Sequence, residues 1–397
     1  MNDTLKIILI ALLIIAALLV MFIIYSSMDP PEVPEPGPAH SGGIILPPVT
    51  EPEESESENE PNYIYVSEGS GEYVFYRGKL ELPVQGSTGW AATNLVVRSE
   101  ARSSSDRISN LSPGDAFVIF DEVGDWWYVI LPNEVSGWVE INKCFINLPD
   151  VLPSIIYNIT NAVSSEFRSS GVDLPDITHN NLYSAYSYNE RLERSEYIVP
   201  GLYSLAQSLF AVQQLALSNG ETLIIYEVYR PMDTQRRVAA ALNRLLNRSD
   251  SEFNEFVYRA ITDSPWSVGN FISQGRSNHQ LGAAIDSSIG IVEEREILRT
   301  GDFSYHNIKY YSRLTEPSPI HDLSPRAVLP DRNSSSAIHI DNNIWGMKSY
   351  FEVMGFTALA SEWWHFNHTA SVRAGSSAGI TGNFFTPSVY SIPPFIR

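Results

Sequence analysis

The stretch Ser277-Asn278-His279-Gln280-Leu281-Gly282-Ala283-Ala284-Ile285-Asp286, read together with Ser361-Glu362-Trp363-Trp364-His365-Phe366, decides how this chain is interpreted. Two imidazoles and one carboxylate form a common ligand set for a catalytic zinc, which keeps a fourth position for water. His279 and Asp286 have opposite parity, so one regular strand would point them to opposite faces, and Gly282 between them supplies a bend. The spacing of Glu362 and His365 places them side by side on a helix or in a turn, while the paired tryptophans favour strand. An unligated carboxylate beside a zinc-bound water accepts its proton and later passes it to a leaving amine, and Glu362 suits that role.

Working outward, Leu202, Leu205, Leu209, Val212 and Leu215-Ala216 recur at helical spacing, and Gly220 stops that helix. Thr222-Leu223-Ile224-Ile225-Tyr226 reads as a buried strand leading into Tyr229-Arg230-Pro231, and a second helix is expected from Met232 or Asp233 to about Asn247. Arg230 at a strand end offers a fixed guanidinium that pairs with a substrate carboxylate or steadies a developing oxyanion. Helices before and after scattered strands predict an α+β domain over residues 149–397.

Upstream, over 86–148, short β-rich runs alternate with turns. Asn94-Leu95-x-Val97-Arg98, then Leu111-x-x-Gly114-Asp115, Gly124-Asp125-Trp126-Trp127-Tyr128-Val129 and Gly137-Trp138-Val139 resemble the bacterial SH3-like domain, a small all-β barrel. In that family the barrel binds wall peptides or packs beside a catalytic domain, and Trp126, Trp127 and Trp138 divide between groove and core. Residues 63–85 read as alternating strand material with no decided place.

Ile7 to Tyr25 are nineteen uncharged, largely apolar positions, about 28 Å of helix against a hydrocarbon core of about 30 Å. This predicts a single transmembrane helix over 7–25, with residues 1–6 cytoplasmic and the catalytic part extracytoplasmic at the cell membrane. The run is longer than a signal-peptide core and lacks its cleavage signature. Residues 26–62 then read as a Pro/Glu-rich disordered stalk, whose nine acids between Met28 and Pro61 carry much of the net charge of −20. No Lys/Arg cluster appears, which argues against nucleic acid. A lone cysteine, Cys144, excludes an intramolecular disulfide framework and multi-cysteine metal sites, so any metal here is held by His and carboxylate.

Ser-x-His-x-x-Gly-x-Ala-x-Asp followed by Glu-Trp-Trp-His, with an upstream Tyr-Arg-Pro, resembles the zinc D-alanyl-D-alanine dipeptidase and carboxypeptidase family of the vancomycin-resistance type. The resemblance implies one Zn2+ held by His279, Asp286 and His365, with Glu362 as general base and Arg230 as the arginine of the transition state or substrate. Ser277 either binds substrate or caps a turn. The other histidines (His40, His179, His306, His321, His339 and His368) read as structural, with His365-x-x-His368 a minor alternative ligand pair. The expected activity is a membrane-anchored D,D-carboxypeptidase acting on peptidoglycan stem peptides. Alternatives are a dipeptidase for free D-Ala-D-Ala, an endopeptidase, and a non-enzymatic wall-binding protein.

Overall fold

The structure, a computed structural model, describes residues 61–69, 71–246, 267–337, 340–384 and 388–396. The expected anchor over 7–25 and nearly all of the stalk lie outside the described residues. Among the described residues, no helix is long and apolar enough to cross a membrane. Residues 61–397 form one compact unit.

The α+β expectation is corrected: the described chain is mostly β, with twenty strands and only four helices of eight residues or more. The two helices expected from the sequence form, but they are outweighed by hairpins in stretches whose apolar residues follow no helical period. The longest runs through Ala284–Thr300 and Phe303–Arg313.

The first sheet contains β1 (Thr88–Ala91), β2 (Leu95–Arg98), β3 (Arg107–Leu111), β4 (Ala116–Val123), β5 (Trp126–Ile130), β6 (Ser136–Glu140) and β7 (Cys144–Asn147). Alternation drives it: Leu95 and Val97 are buried while Val96 and Arg98 are half-exposed, and Trp127 and Val129 are buried while Trp126 and Tyr128 are half-exposed. Trp127 is therefore core, its Nε1 donating to Glu122 Oε2 at 3.0 Å. Cys144 is buried, its thiol donating to the Glu140 carbonyl at 3.2 Å. Residues 63–68 and 71–76 pair as a separate antiparallel hairpin, outside the barrel sheet, and touch the long hairpin through Val74 N–H donating to Ser304 Oγ.

The second sheet contains β8 (Ile156–Tyr157), β10 (Glu221–Glu227), β11 (Ala284–Thr300), β12 (Phe303–Arg313), β13 (Phe356–Ala358) and β14 (His365–His368), in the order β8-β10-β11-β14-β13 with β12 also on β11. The short β9 (Pro200–Leu202) belongs instead to the barrel sheet, whose order is β9-β7-β1-β4-β5-β6-β2-β3. Helix α1 (Tyr203–Ser218) buries Leu205, Leu209, Val212 and Ala216 on one face, and α2 (Met232–Leu246) buries Val238, Ala241, Leu242 and Leu245. Two further helices, α3 (Asn342–Val353) and α4 (Thr369–Ser377), complete the unit. One continuous core runs from Trp90 and Phe117 in the barrel through Phe145 and Leu202 to Leu209, Ile224 and Phe366.

Candidate metal centre

Strand register builds the site. Glu227 on β10 pairs with Asp286 on β11, and Asp286 pairs with His365 on β14, so the three side chains stand abreast on one face. His279 arrives from a short 3-10 turn, Asn278–Leu281, that Ser277 caps: its Oγ accepts from His279 N–H at 3.3 Å, while its own N–H donates to Gln280 Oε1 at 2.6 Å. Gly282 then adopts φ +60°, turning the chain into β11.

That glycine is required twice over. Its left-handed backbone disfavours an L side chain, and an added Cβ would lie 2.7 Å from Phe145 Cε1 of the barrel. Gly282→Ala is expected to cost about 2 kcal/mol or more and to weaken metal binding, because His279 and Asp286 flank the bend. Urea unfolding and a zinc titration check both effects.

His279 Nε2 lies 3.1 Å from His365 Nδ1 and 3.4 Å from Asp286 Oδ1, and His365 Nδ1 lies 3.0 Å from the same oxygen. The outer ring nitrogens are already engaged. His279 Nδ1 is 2.9 Å from the Val228 carbonyl, and His365 Nε2 is 3.0 Å from Asn367 Oδ1, which also accepts from Asn278 Nδ2 at 2.8 Å. The ring hydrogens therefore sit on the outer nitrogens, and two lone pairs and a carboxylate oxygen converge on one point. That arrangement repels itself unless a cation or a proton lies between the atoms. Bonds of about 2.0–2.1 Å at tetrahedral angles would set neighbouring donors about 3.3 Å apart, so the three residues fit a zinc ion.

Electrostatics agree. Burial pushes His279 below the usual histidine range. Burial also works against a charged His365, but its hydrogen bond and charge interaction with Asp286 outweigh this and raise it. Asp286 is held well below the carboxylate range: burial would raise it, but His279, His321 and His365 prevail. Glu362 sits in the turn before β14, closed by His365 N–H donating to the Glu362 carbonyl at 3.2 Å. Its Oε2 is 3.7 Å from His365 Nδ1, and burial pushes its carboxyl up to about 8. A cation among the three ligands would draw that carboxyl back toward ionisation.

Arg230 is buried beside the ligands. Its Nε and Nη2 both reach Glu227, Nη1 donates to Gln235 Oε1 at 2.8 Å, and Nη2 lies 3.3 Å from Asp286 Oδ2. Burial opposes its charge, but Glu227 and Asp286 more than compensate. Glu227, Asp286 and His321 form a second cluster of potential donor atoms, but here Arg230 already supplies the positive charge that both carboxylates share.

Motif reading missed three neighbours. Glu227 had a faint signal, an acid ending an apolar strand three residues before Arg230. Asn367 had none. His321, read as structural, sits in the site with Nε2 3.1 Å from Asp286 Oδ2. His368 does not join it: its Nδ1 contacts Ser371 Oγ and its Nε2 contacts Ser208 Oγ. His306 stacks on Phe75 far along the chain from either motif. A cavity of about 420 Å³ opens over the ligands, walled by Phe167, Arg276, Ser277, Ser361, Glu362 and Trp364.

Comparison with known proteins bears on both parts. Residues 93–143 match the bacterial SH3 domain, which places that domain within the barrel sheet. Over 168 residues, 42% of this chain and 72% of the relative, the chain is 23% identical to a D-alanyl-D-alanine dipeptidase of Enterococcus faecium. The chain thus carries a bacterial SH3 domain and is similar to that dipeptidase, in line with the resemblance that its motifs carry.

Proposed function

We propose that this protein is a zinc metallopeptidase that hydrolyses D-alanyl-D-alanine-type bonds, with His279, Asp286 and His365 holding one ion. The observation that carries the reading is the convergence of three metal-facing donor atoms with Glu362 beside them, under a cavity. When bound, zinc supplies a positive charge that polarises a peptide carbonyl and acidifies a water. Glu362 takes a proton from the attacking water as its oxygen bonds the carbonyl carbon. It returns that proton to the departing amine nitrogen as the C–N bond breaks. Arg230, fixed by Glu227 and Gln235, contributes a permanent positive charge to the cavity wall, where a substrate carboxylate or developing oxyanion gains most.

The expectation of a stem-peptide carboxypeptidase rests on the anchor expected over 7–25, which lies outside the described residues. Similarity to a dipeptidase now favours free D-Ala-D-Ala as the first substrate to test. Stem pentapeptide is second, because the barrel packed beside the site gives a larger wall fragment a place to bind. Purified protein with zinc should release D-alanine from one of the two, lose that activity to a chelator and regain it with zinc. Failure on both substrates with zinc present overturns the proposal.

A further inference from the structure

We infer that His321 is a positioning residue that makes Asp286 present a single oxygen to the metal. This rests on the proposed zinc site and concerns a residue outside either motif. The ring lies fully buried, stacked on Phe167 at 4.5 Å between centroids and 19° between planes, with Trp364 edge-on at 6.0 Å. The backbone is equally constrained. His321 has φ +62°, a left-handed conformation costing a non-glycine residue about 1 kcal/mol or more. The segment is pinned to the hairpin at 168–173. The His321 carbonyl accepts from Arg168 N–H at 3.1 Å, and the Asp322 carboxylate accepts from Ser170 N–H at 2.7 Å and Gly171 N–H at 2.9 Å.

The ring has one polar partner. Nε2 meets Asp286 Oδ2, whereas Nδ1 is buried with no hydrogen-bond partner among the described residues. A hydrogen on Nδ1 would be a buried orphan donor and would leave Nε2 facing a carboxylate lone pair to lone pair. The hydrogen therefore sits on Nε2 and is donated to Oδ2. Arg230 Nη2 approaches the same oxygen, at 3.3 Å, but divides its charge with Glu227. Both donors occupy Oδ2, leaving Oδ1 to face His279 and His365. A carboxylate so divided binds through one oxygen, and the fourth position stays open for water, as a catalytic zinc requires. The strained backbone and the orphan Nδ1 are costs the fold bears to put that one hydrogen there.

The test uses the full chain and three substitutions, with zinc affinity from chelator competition and the visible spectrum of the cobalt-substituted protein as readouts. His321→Phe keeps an aromatic ring for the stack and loses the donor, His321→Gln places an amide near the Nε2 position, and His321→Asn places one near Nδ1. The expected result is a zinc Kd raised about 10–100-fold in the Phe variant, largely restored by Gln and not by Asn. Weaker cobalt absorption in the Phe variant would mark a raised coordination number as Asp286 binds through both oxygens. Wild-type affinity and an unchanged cobalt spectrum in the Phe variant overturn the inference. If that variant does not fold, the Gln and Asn proteins decide, and equal affinities overturn it. Wild-type protein that binds no zinc removes the metal site itself, a failure seen before any variant is compared.

Discussion

Glu362→Gln is expected to lower kcat by about 10²–10⁴ while leaving one zinc per chain. Glutamine fills the same volume, and the turn that seats it is closed by backbone atoms, so His365 keeps its place. Glu362 is not one of the three convergent donors, so the ion does not depend on its charge. What disappears is the only carboxylate that the turn holds beside the ligands without another assigned task. Burial already penalises the charged form of this carboxyl, and a neutral amide avoids that penalty, so the variant should be no less stable than wild type. Zinc content, thermal unfolding and turnover measured on one preparation distinguish the outcomes. Full activity removes Glu362 from its role as base, and lost zinc makes it a ligand instead.

The second large effect lies away from the chemistry, where the barrel meets the peptidase part. Arg191 is fully buried, and its guanidinium donates to four carbonyls: Pro83 at 2.7 Å, Gln85 at 2.6 Å, Asp150 at 2.8 Å and Ile392 at 3.3 Å. Burial pulls its pKa down to about 10, with Asp150 opposing. The Asp150 carboxylate, also fully buried, accepts from Thr88 N–H, Asn147, Asn189 and Ser391. Arg191→Ala would strip the carbonyls of this donor, remove the buried positive charge that Asp150 favours and open a cavity. A cost of about 3–5 kcal/mol is expected, a large share of the 5–15 kcal/mol that stabilises a typical domain. In urea the midpoint should fall and barrel and peptidase signals should be lost together. A shift under about 1 kcal/mol would show that this junction contributes little to folding.

Much of the site was legible in the sequence, because its chemistry is concentrated in two short segments. His279, Asp286, Glu362 and His365, the set that the resemblance implies, lie close together, and the bend assigned to Gly282 is a left-handed turn. Arg230 is there too, but bound to Glu227 and Gln235 rather than standing free. His321 and Asn367 escaped because they act through a ligand rather than through a motif, and hydrogen-bond partners chosen across a fold leave no local pattern. In the fold, α1 followed from its 3.6-residue period and the barrel strands from short β-rich runs set between turns. The overall class did not follow. Residues 284–313 form a hairpin whose first strand is exposed on both faces midway, around Glu293–Arg295, so no apolar pattern announces it.

Phe145 of the barrel rests against Gly282, between two of the metal-facing residues, and Leu202 N–H donates to the Gly282 carbonyl from a strand that belongs to the barrel sheet. The barrel is therefore part of the mould in which the loop carrying His279 and Asp286 takes its shape. Such an arrangement resists cut-and-paste: exchanging this barrel for another binding module would carry Phe145 and the edge that pairs with Pro200–Leu202 away with it. Any recombinant that inherits only the peptidase motifs should inherit their residues without their geometry.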